Sequence, residues 1–503
     1  MITLYDFQTE DVQKITRQKA GLIGSEMGTG KTHEAIAIEQ NWYEQLEATD
    51  GVRTYGQVIP TLVVAPLNTF DTWVDKYREQ SPDVTVMTID RKNRPAFVKA
   101  IHEGKADVFV VHWDALRLIP ELRRIQFGTI IADEVHRASN RKAQSTRALK
   151  YLKSYRKLAM SGTASGDKPW NLWSILNWLW PSYYTSYWRF VNHYAVQEMV
   201  ERTDKEGNTT QYRTFVGVKN VQSLHTQMEP WYIRHLKREQ CCAHHPQGVM
   251  DWLPAKTYDT IWVDLSPTQR RVYNEMRDKM VAWVGEHEDS PLVASIVVAQ
   301  MSRLSQMALA TPEISWKVVP GKFHEDGRPV ERMVVDLIAP SSKIDAVKEL
   351  IKDHEDQKFV IFSSSKKACY LAAQVFEHSG ISSMVLSGDT PDTERRGMVD
   401  RFARGDVQVF LAVIAAAAEG IDGLQHATDT AIFLDRSWST IKNKQAEDRL
   451  HRDGQKNTVH IIDVMARNTL DFGRKQTLEL KWAWIKEILG DNNIQKKILE
   501  GAA

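Results

Sequence analysis

Two short stretches of this chain carry residue types suited to phosphoryl chemistry: Gly24-Ser-Glu-Met-Gly-Thr-Gly-Lys-Thr32 and Gln445-Ala-Glu-Asp-Arg-Leu-His-Arg-Asp-Gly-Gln455. In the first, backbone N–H groups around Gly28 and Gly30 can wrap phosphate oxygens, with the N-terminus of a helical stretch behind them. Lys31 would reach the β- and γ-phosphates, and the Thr32 hydroxyl would bind Mg²⁺. Ser25 stands where the generic pattern has its first glycine. The second stretch spaces Arg449 and Arg452 one helical turn apart, so one helix face would offer both to an anion. A third stretch, Asp133-Glu-Val-His136, follows the apolar run Thr129-Ile-Ile-Ala132, which sets two carboxylates at a strand end. Asp133 would hold Mg²⁺, and Glu134 would orient and deprotonate the attacking water. A nucleotide held by the first stretch and completed by the second would sit between two lobes, and each round of hydrolysis would close and reopen that joint.

The elements that must position these residues are legible as apolar runs. Leu22-Ile23, Thr61–Ala65, Val108–Val111, Thr129–Ala132 and Lys157–Met160 read as buried parallel strands. The rhythm returns in Phe359–Phe362, Ser383–Leu386, Val407–Leu411, Thr430–Leu434 and Val459–Ile462. Such a chain predicts an α/β fold of two similar lobes, each a parallel sheet flanked by helices. Between them, Trp170, Trp173, Trp178, Trp180 and Trp188 lie in a helical stretch. Tryptophans at this spacing read as a helix packing on its neighbour in preference to a base-stacking platform. Turn residues predict hairpins around Asp204–Asn208 and Glu325–Arg328, and Leu478–Ile485 predicts an amphipathic helix packing back on a lobe.

Bulk composition narrows the function classes. At 503 residues, two or three domains are expected. With 65 basic and 64 acidic side chains the net charge is +1, so any nucleic-acid binding must use a local groove. Three cysteines make no disulfide framework, which suits a reducing compartment. No secretory leader and no membrane-spanning run is read. Cys241-Cys242-Ala-His244-His245 invites a zinc site, but adjacent cysteines suit tetrahedral geometry poorly, and a surface segment is the preferred reading.

In order and content these motifs resemble the Swi/Snf class of superfamily 2 helicase-like ATPases, over roughly Leu4 to Leu470. Glu26-Met-Gly-Thr-Gly-Lys-Thr32 is similar to the family's phosphate loop, which also lacks the first glycine. The resemblance implies two RecA-like lobes with helical insertions between them, Mg²⁺ and ATP as cofactors, and translocation on double-stranded DNA gripped by its backbone. It places Gln8, Glu26, Met27, Gly28, Thr29, Gly30, Lys31, Thr32, Gly420, Asp422 and Gln445 at ATP, with Gln8 reading adenine. Lys31, Asp133, Glu134, Arg449 and Arg452 would be catalytic, the two arginines as fingers on the γ-phosphate. Val64-Ala-Pro-Leu-Asn68 with Trp73, Met160-Ser-Gly-Thr163, and Leu386-Ser-Gly-Asp389 with Arg395 resemble the family's DNA-contacting and coupling motifs. They imply DNA contacts from Pro66, Asn68, Trp73, Ser161, Thr163, Ser387, Gly388 and Arg395. Leu253-Pro-Ala-Lys256 and Val263–Gln269 resemble the approach to the second lobe.

One departure stands out. Where the family often has a threonine and paired glycines, this chain has Ile414-Ala-Ala-Ala-Ala418 before Glu419-Gly420. A hydroxyl that would touch a DNA phosphate is missing there, which bears on coupling and leaves ATP binding alone. The expected domains are 1–235, an ATP-binding lobe with the tryptophan-rich insertion; 236–342, a connection; 343–475, a second lobe; and 476–503, a returning helix. The expected function is remodelling of forks, branches, recombination intermediates or DNA-bound proteins, without strong sequence preference, in a prokaryotic or viral-host cytoplasm. A strand-separating helicase and an ATP-gated adaptor with little turnover are the two alternatives.

Overall fold

Every apolar run read as a strand is one, and each enters a parallel sheet. The computed structural model describes residues 4–50, 59–89, 94–203, 209–239, 245, 247–279, 281–282, 292–293, 297–323, 328–418 and 421–491. The chain divides into two units: Met1–Trp252 with Leu480–Ala503, and Leu253–Glu479.

The first unit contains β1 (Ala20–Ile23), β2 (Thr61–Ala65), β3 (Val86–Thr88), β4 (Val108–His112), β5 (Gln126–Ala132), β6 (Lys153–Met160), the hairpin strands β7 (Ala195–Thr203) and β8 (Thr209–Val218), and β9 (Tyr232–Ile233). Seven of these form one sheet in the order β3-β4-β2-β5-β6-β1-β9, parallel throughout. Strands β1 and β2 are buried at every residue, as a sheet covered on both faces requires. In such a sheet all carboxyl ends lie along one edge, where ligands of open α/β folds bind.

The second unit contains β10 (Lys256–Val263), the short pair β11 (Val281–Ala282) and β12 (Leu292–Val293), the hairpin strands β13 (Thr311–Phe323) and β14 (Pro329–Ile338), then β15 (Phe359–Ser363), β16 (Ser383–Leu386), β17 (Val409–Val413), β18 (Thr430–Phe433) and β19 (Val459–Ala466). Its parallel sheet runs β10-β19-β18-β15-β17-β16. Alternate residues of each strand feed opposite faces. Phe359, Ile361, Val409 and Leu411 enter one core, while Val360, Phe362, Phe410 and Ala412 enter the other.

Strands β3, β9, β10, β11 and β12 are not among the runs legible in the sequence, because β3, β9, β11 and β12 are very short and β10 is an edge strand with a half-exposed, polar pattern. Both hairpins exist, β7 with β8 and β13 with β14. The predicted turn at 204–208, and 324–327 of the second, lie outside the described residues, as do Cys241, Cys242 and His244. Trp170, Trp173 and Trp178 are buried, in keeping with the packing reading, whereas Trp188 is exposed beside Arg213. The returning helix spans Leu470–Leu489, and its Ile485, Ile488 and Leu489 join the core of the first unit. Among the described residues no helix is long and apolar enough to cross a membrane.

One buried acid makes the first unit's stability pH-dependent. Glu39, on the helix Lys31–Asp50, accepts a 2.6 Å hydrogen bond from Thr61 Oγ1. Burial raises its pKa from the ordinary 4.5 to about 7; the Thr61 hydrogen bond opposes this shift and Asp107 adds to it. Because the folded value lies above the unfolded one, this contribution is present below about pH 4.5 and is lost as pH rises through 7, costing of order 3 kcal/mol in full. Glu39→Gln should therefore melt close to wild type at pH 5 and several degrees higher at pH 8. Equal shifts at both pH values would refute the assignment.

Candidate active site

The phosphate loop leaves the carboxyl end of β1 and is shaped by the segment that follows β9. Gly24 N–H donates to Ile233 O (2.8 Å) and Glu26 N–H to His235 O (2.9 Å), while Lys237 N–H donates to the Glu26 carboxylate (2.7 Å). Gly28 and Gly30 have φ of 84° and 83°, a backbone that favours glycine. At Gly30 a Cβ would also lie 2.5 Å from Gln8 Nε2, so any side chain there would displace that amide. Gln8 donates to Thr29 O (3.0 Å) and Gly30 O (3.4 Å), and its Oε1 accepts from Tyr5 N–H (3.1 Å). The amide nitrogen of the residue expected to read adenine thus braces the loop, while its oxygen caps the start of its own helix. Lys31 Nζ donates to the carbonyls of Ser25 (2.9 Å) and Glu26 (2.7 Å), and burial lowers its pKa against the pull of Glu134 and Asp133. Thr32 follows in the first turn of the helix, and Met27 lies against Gly162, where an added methyl would meet it at 3.3 Å.

Two strands along the same edge, β5 delivers the acidic pair. Asp133 Oδ2 accepts from Trp73 Nε1–H (3.1 Å) and Oδ1 from Glu134 N–H (2.9 Å). Burial raises its pKa to about 6, the Glu134 charge adds to this, and the Trp73 hydrogen bond and Lys31 oppose it. Glu134 has φ of 49°, left-handed for a residue with a side chain, a conformation found at sites where the surroundings enforce it. Its Oε2 lies 3.1 Å from His136 Nδ1 and 3.4 Å from Ser161 Oγ, and those two lie 3.1 Å apart. Ser161 Oγ also accepts from Thr163 N–H (3.2 Å). His136, two residues after Glu134, carries no role in the sequence reading. It joins the acid pair to the Ser161-Gly-Thr163 segment at the end of β6.

The residues expected at DNA differ in their exposure. Trp73 is 1% exposed, and its indole N–H donates to Asp133 Oδ2. The side chains of Pro66, Ser161, Thr163 and Ser387 are likewise buried. Asn68 and Gly388 are exposed, and Arg395 is half-buried with Nε donating to Thr390 O (3.3 Å).

In the second unit the arginine-bearing stretch differs from expectation. The helix Thr440–Glu447 ends with Asp448 as its cap, so Arg449 and Arg452 lie in the turns that follow and not on one helix face. The helix stops where side chains anchor the chain. Glu447 accepts from Lys256 Nζ (2.9 Å), Tyr258 Oη (2.9 Å) and Arg436 (2.6 Å), and His451 Nε2 lies 2.9 Å from Pro254 O. Burial alone would raise the Glu447 pKa, but Lys256 and Arg436 hold it far below the usual carboxylate range. Both arginines still reach one segment. Arg449 donates to Ala418 O (2.6 Å) and Ile421 O (3.0 Å), and Arg452 pairs with Asp422 (3.0 Å). Gln445 is buried on the helix, and Gly420 lies outside the described residues. The alanines of Ile414–Ala418 form a short helix whose Ile414, Ala416 and Ala417 pack into the core.

The family model for the SNF2-related domain matches residues 11–311, and that for the helicase conserved C-terminal domain matches residues 342–454. Curated relatives include the ISWI chromatin-remodeling complex ATPase ISW2 of Saccharomyces cerevisiae, 23% identical over 462 residues, covering 90% of this chain and 37% of that protein. The ATP-dependent helicase brm of Drosophila melanogaster is 24% identical over 466 residues, covering 90% and 27%. This chain therefore spans between about a quarter and two fifths of the length of such relatives. A solved structure, the Sulfolobus solfataricus SWI2/SNF2 ATPase core in complex with dsDNA, aligns at 19% identity and TM-score 0.41, covering 98% of this chain and 94% of that one. With the first family model spanning more than half of its residues, the chain belongs to the SNF2-related family.

Proposed function

We propose that this protein is a DNA-dependent ATPase that translocates on double-stranded DNA. The observation that carries the reading is the gathering of the phosphate loop, the acid pair and the Ser161-Gly-Thr163 segment at one sheet edge, joined by the hydrogen bonds of Glu134, His136 and Ser161. In this reading the loop N–H groups and Lys31 bind the phosphates. Glu134 takes the proton of the attacking water, and Ser161 and His136 sense whether that carboxylate is engaged. The Thr32 hydroxyl and the Asp133 carboxylate are hard oxygen donors that fit Mg²⁺ bound jointly with phosphate, a mode that needs no cluster of protein carboxylates. When bound, the ion would neutralise charge on the phosphates.

Remodelling of forks, branches, recombination intermediates or DNA-bound proteins, in a prokaryotic or viral-host cytoplasm, is the finer proposal. The curated relatives are named for chromatin remodelling and for ATP-dependent helicase activity, and the two hairpins keep strand separation as the rival. Blunt duplex should stimulate ATP turnover more than single strands do. Binding should be sequence-independent, with a log–log salt slope of about −0.9 per phosphate neutralised. Displacing a triplex third strand without separating the duplex would support translocation. Efficient unwinding of an overhang duplex with no stimulation by blunt duplex would assign the protein to strand separation.

A further inference from the structure

The segment that shapes the phosphate loop is itself held from the far end of the chain. Arg234 follows β9, whose residues pair with Leu22 and Ile23 of β1. Its guanidinium makes a two-pronged bond to Asp491, Nε to Oδ1 at 2.5 Å and Nη2 to Oδ2 at 2.5 Å. The remaining nitrogen, Nη1, donates to the carbonyls of Gly24, at the start of the phosphate loop, and Gly162 (3.0 Å), at the centre of the Ser161–Thr163 turn. Arg234 is 8% exposed and Asp491 1%. Burial works against the guanidinium charge, and Asp491 more than offsets it, so Arg234 stays charged.

The place of Asp491 is fixed by how its helix stops. Gly490 has φ of 85° and Asp491 N–H donates to Lys486 O (2.9 Å), the hydrogen-bond pattern of a glycine-terminated helix. Just upstream, Leu489 O accepts from Tyr232 Oη (3.0 Å), and Ile488 O lies 3.1 Å from His225 Nε2. A planar fork presents its donors in fixed directions, so clamping two of its nitrogens dictates where the third can meet a carbonyl. Any shift of Asp491 therefore moves the spacing between the phosphate loop and the Ser161–Thr163 turn.

We propose that Arg234, clamped by Asp491, is a positioning residue that sets the phosphate loop against the Ser161–Thr163 turn, making the C-terminal end of the returning helix part of the nucleotide site. This deepens the ATPase reading and rests on it. A mere structural brace would affect stability, whereas a positioning fork must change nucleotide affinity.

The test uses the full chain and measures the Kd of a fluorescent non-hydrolysable ATP analogue, kcat, KM and Tm. Asp491→Asn and Arg234→Lys should each weaken analogue binding by about 10- to 100-fold, the scale of effect of a small misplacement of a binding group. Arg234→Lys is the sharper probe, because it keeps the charge and an ion pair but loses the fork. It also decides the question alone if Asp491→Asn proves too unstable to purify. Glu239→Gln, which breaks the exposed 2.8 Å pair with Lys486 on the same helix, should stay within roughly twofold of wild type. Wild-type affinity with only a lowered Tm in the Asp491 and Arg234 variants would overturn the proposal. Lys31→Ala separates the two levels. If it abolishes binding while the Arg234 and Asp491 variants bind normally, only the positioning role falls. If it too binds normally, the phosphate-loop reading itself fails.

Discussion

Replacing Arg452 by alanine is expected to lower ATP turnover about 10³-fold or more while nucleotide affinity stays within a few fold, the signature of a residue that acts on charge developing in the transition state. The geometry distinguishes it from Arg449. Arg452 is bound to Asp422, which is itself 68% exposed, and such a surface pair contributes about 0–1 kcal/mol and exchanges readily for a stronger anion. Arg449 instead donates to two backbone carbonyls, those of Ala418 and Ile421, and so holds the segment in place. Arg449→Ala should accordingly lose stability and turnover together, through misplacement of Asp422 and its neighbours. Steady-state kinetics with equilibrium binding of a non-hydrolysable analogue separates the two. Equal losses of affinity and turnover in Arg452→Ala would place that guanidinium in ground-state binding and end its assignment as a finger.

What could be read from the sequence follows physical lines. Strands covered on both faces are apolar at nearly every position, so β1, β2 and β15 stand out in the sequence, as do the glycines and lysine of the phosphate loop. Edge strand β10 had no such signal, since one side of it meets solvent. A tryptophan that touches DNA and one that supports a carboxylate look alike in sequence, so the burial of Trp73 and its bond to Asp133 are not legible there. The helix expected to present both arginines fails after Glu447, where ties to Lys256 of β10 and to Arg436 beyond β18 outweigh local helix propensity. Arg234 and Asp491 pair across 257 positions of sequence, and no local pattern could connect them. Local chemistry was legible, and long-range positioning was not.

Glu134→Gln should retain ATP binding near the wild-type level yet hydrolyse at about 10²–10³-fold lower rate, the usual loss when one preorganised catalytic group is removed. The amide keeps the size of the carboxylate and can still meet Ser161 and His136, so the left-handed backbone at this position should survive. What it loses is the basic oxygen that takes the water's proton. A pH-independent defect with intact analogue affinity and an unchanged Tm would match that loss. Ser161→Ala provides the contrasting case. It removes a neighbour of the carboxylate and leaves the base, so basal turnover should fall less than in Glu134→Gln, while stimulation by duplex DNA should fall further than basal turnover does. A Glu134→Gln protein turning over at the wild-type rate would show that the general base lies elsewhere, and the strained backbone at this residue would then need another cause.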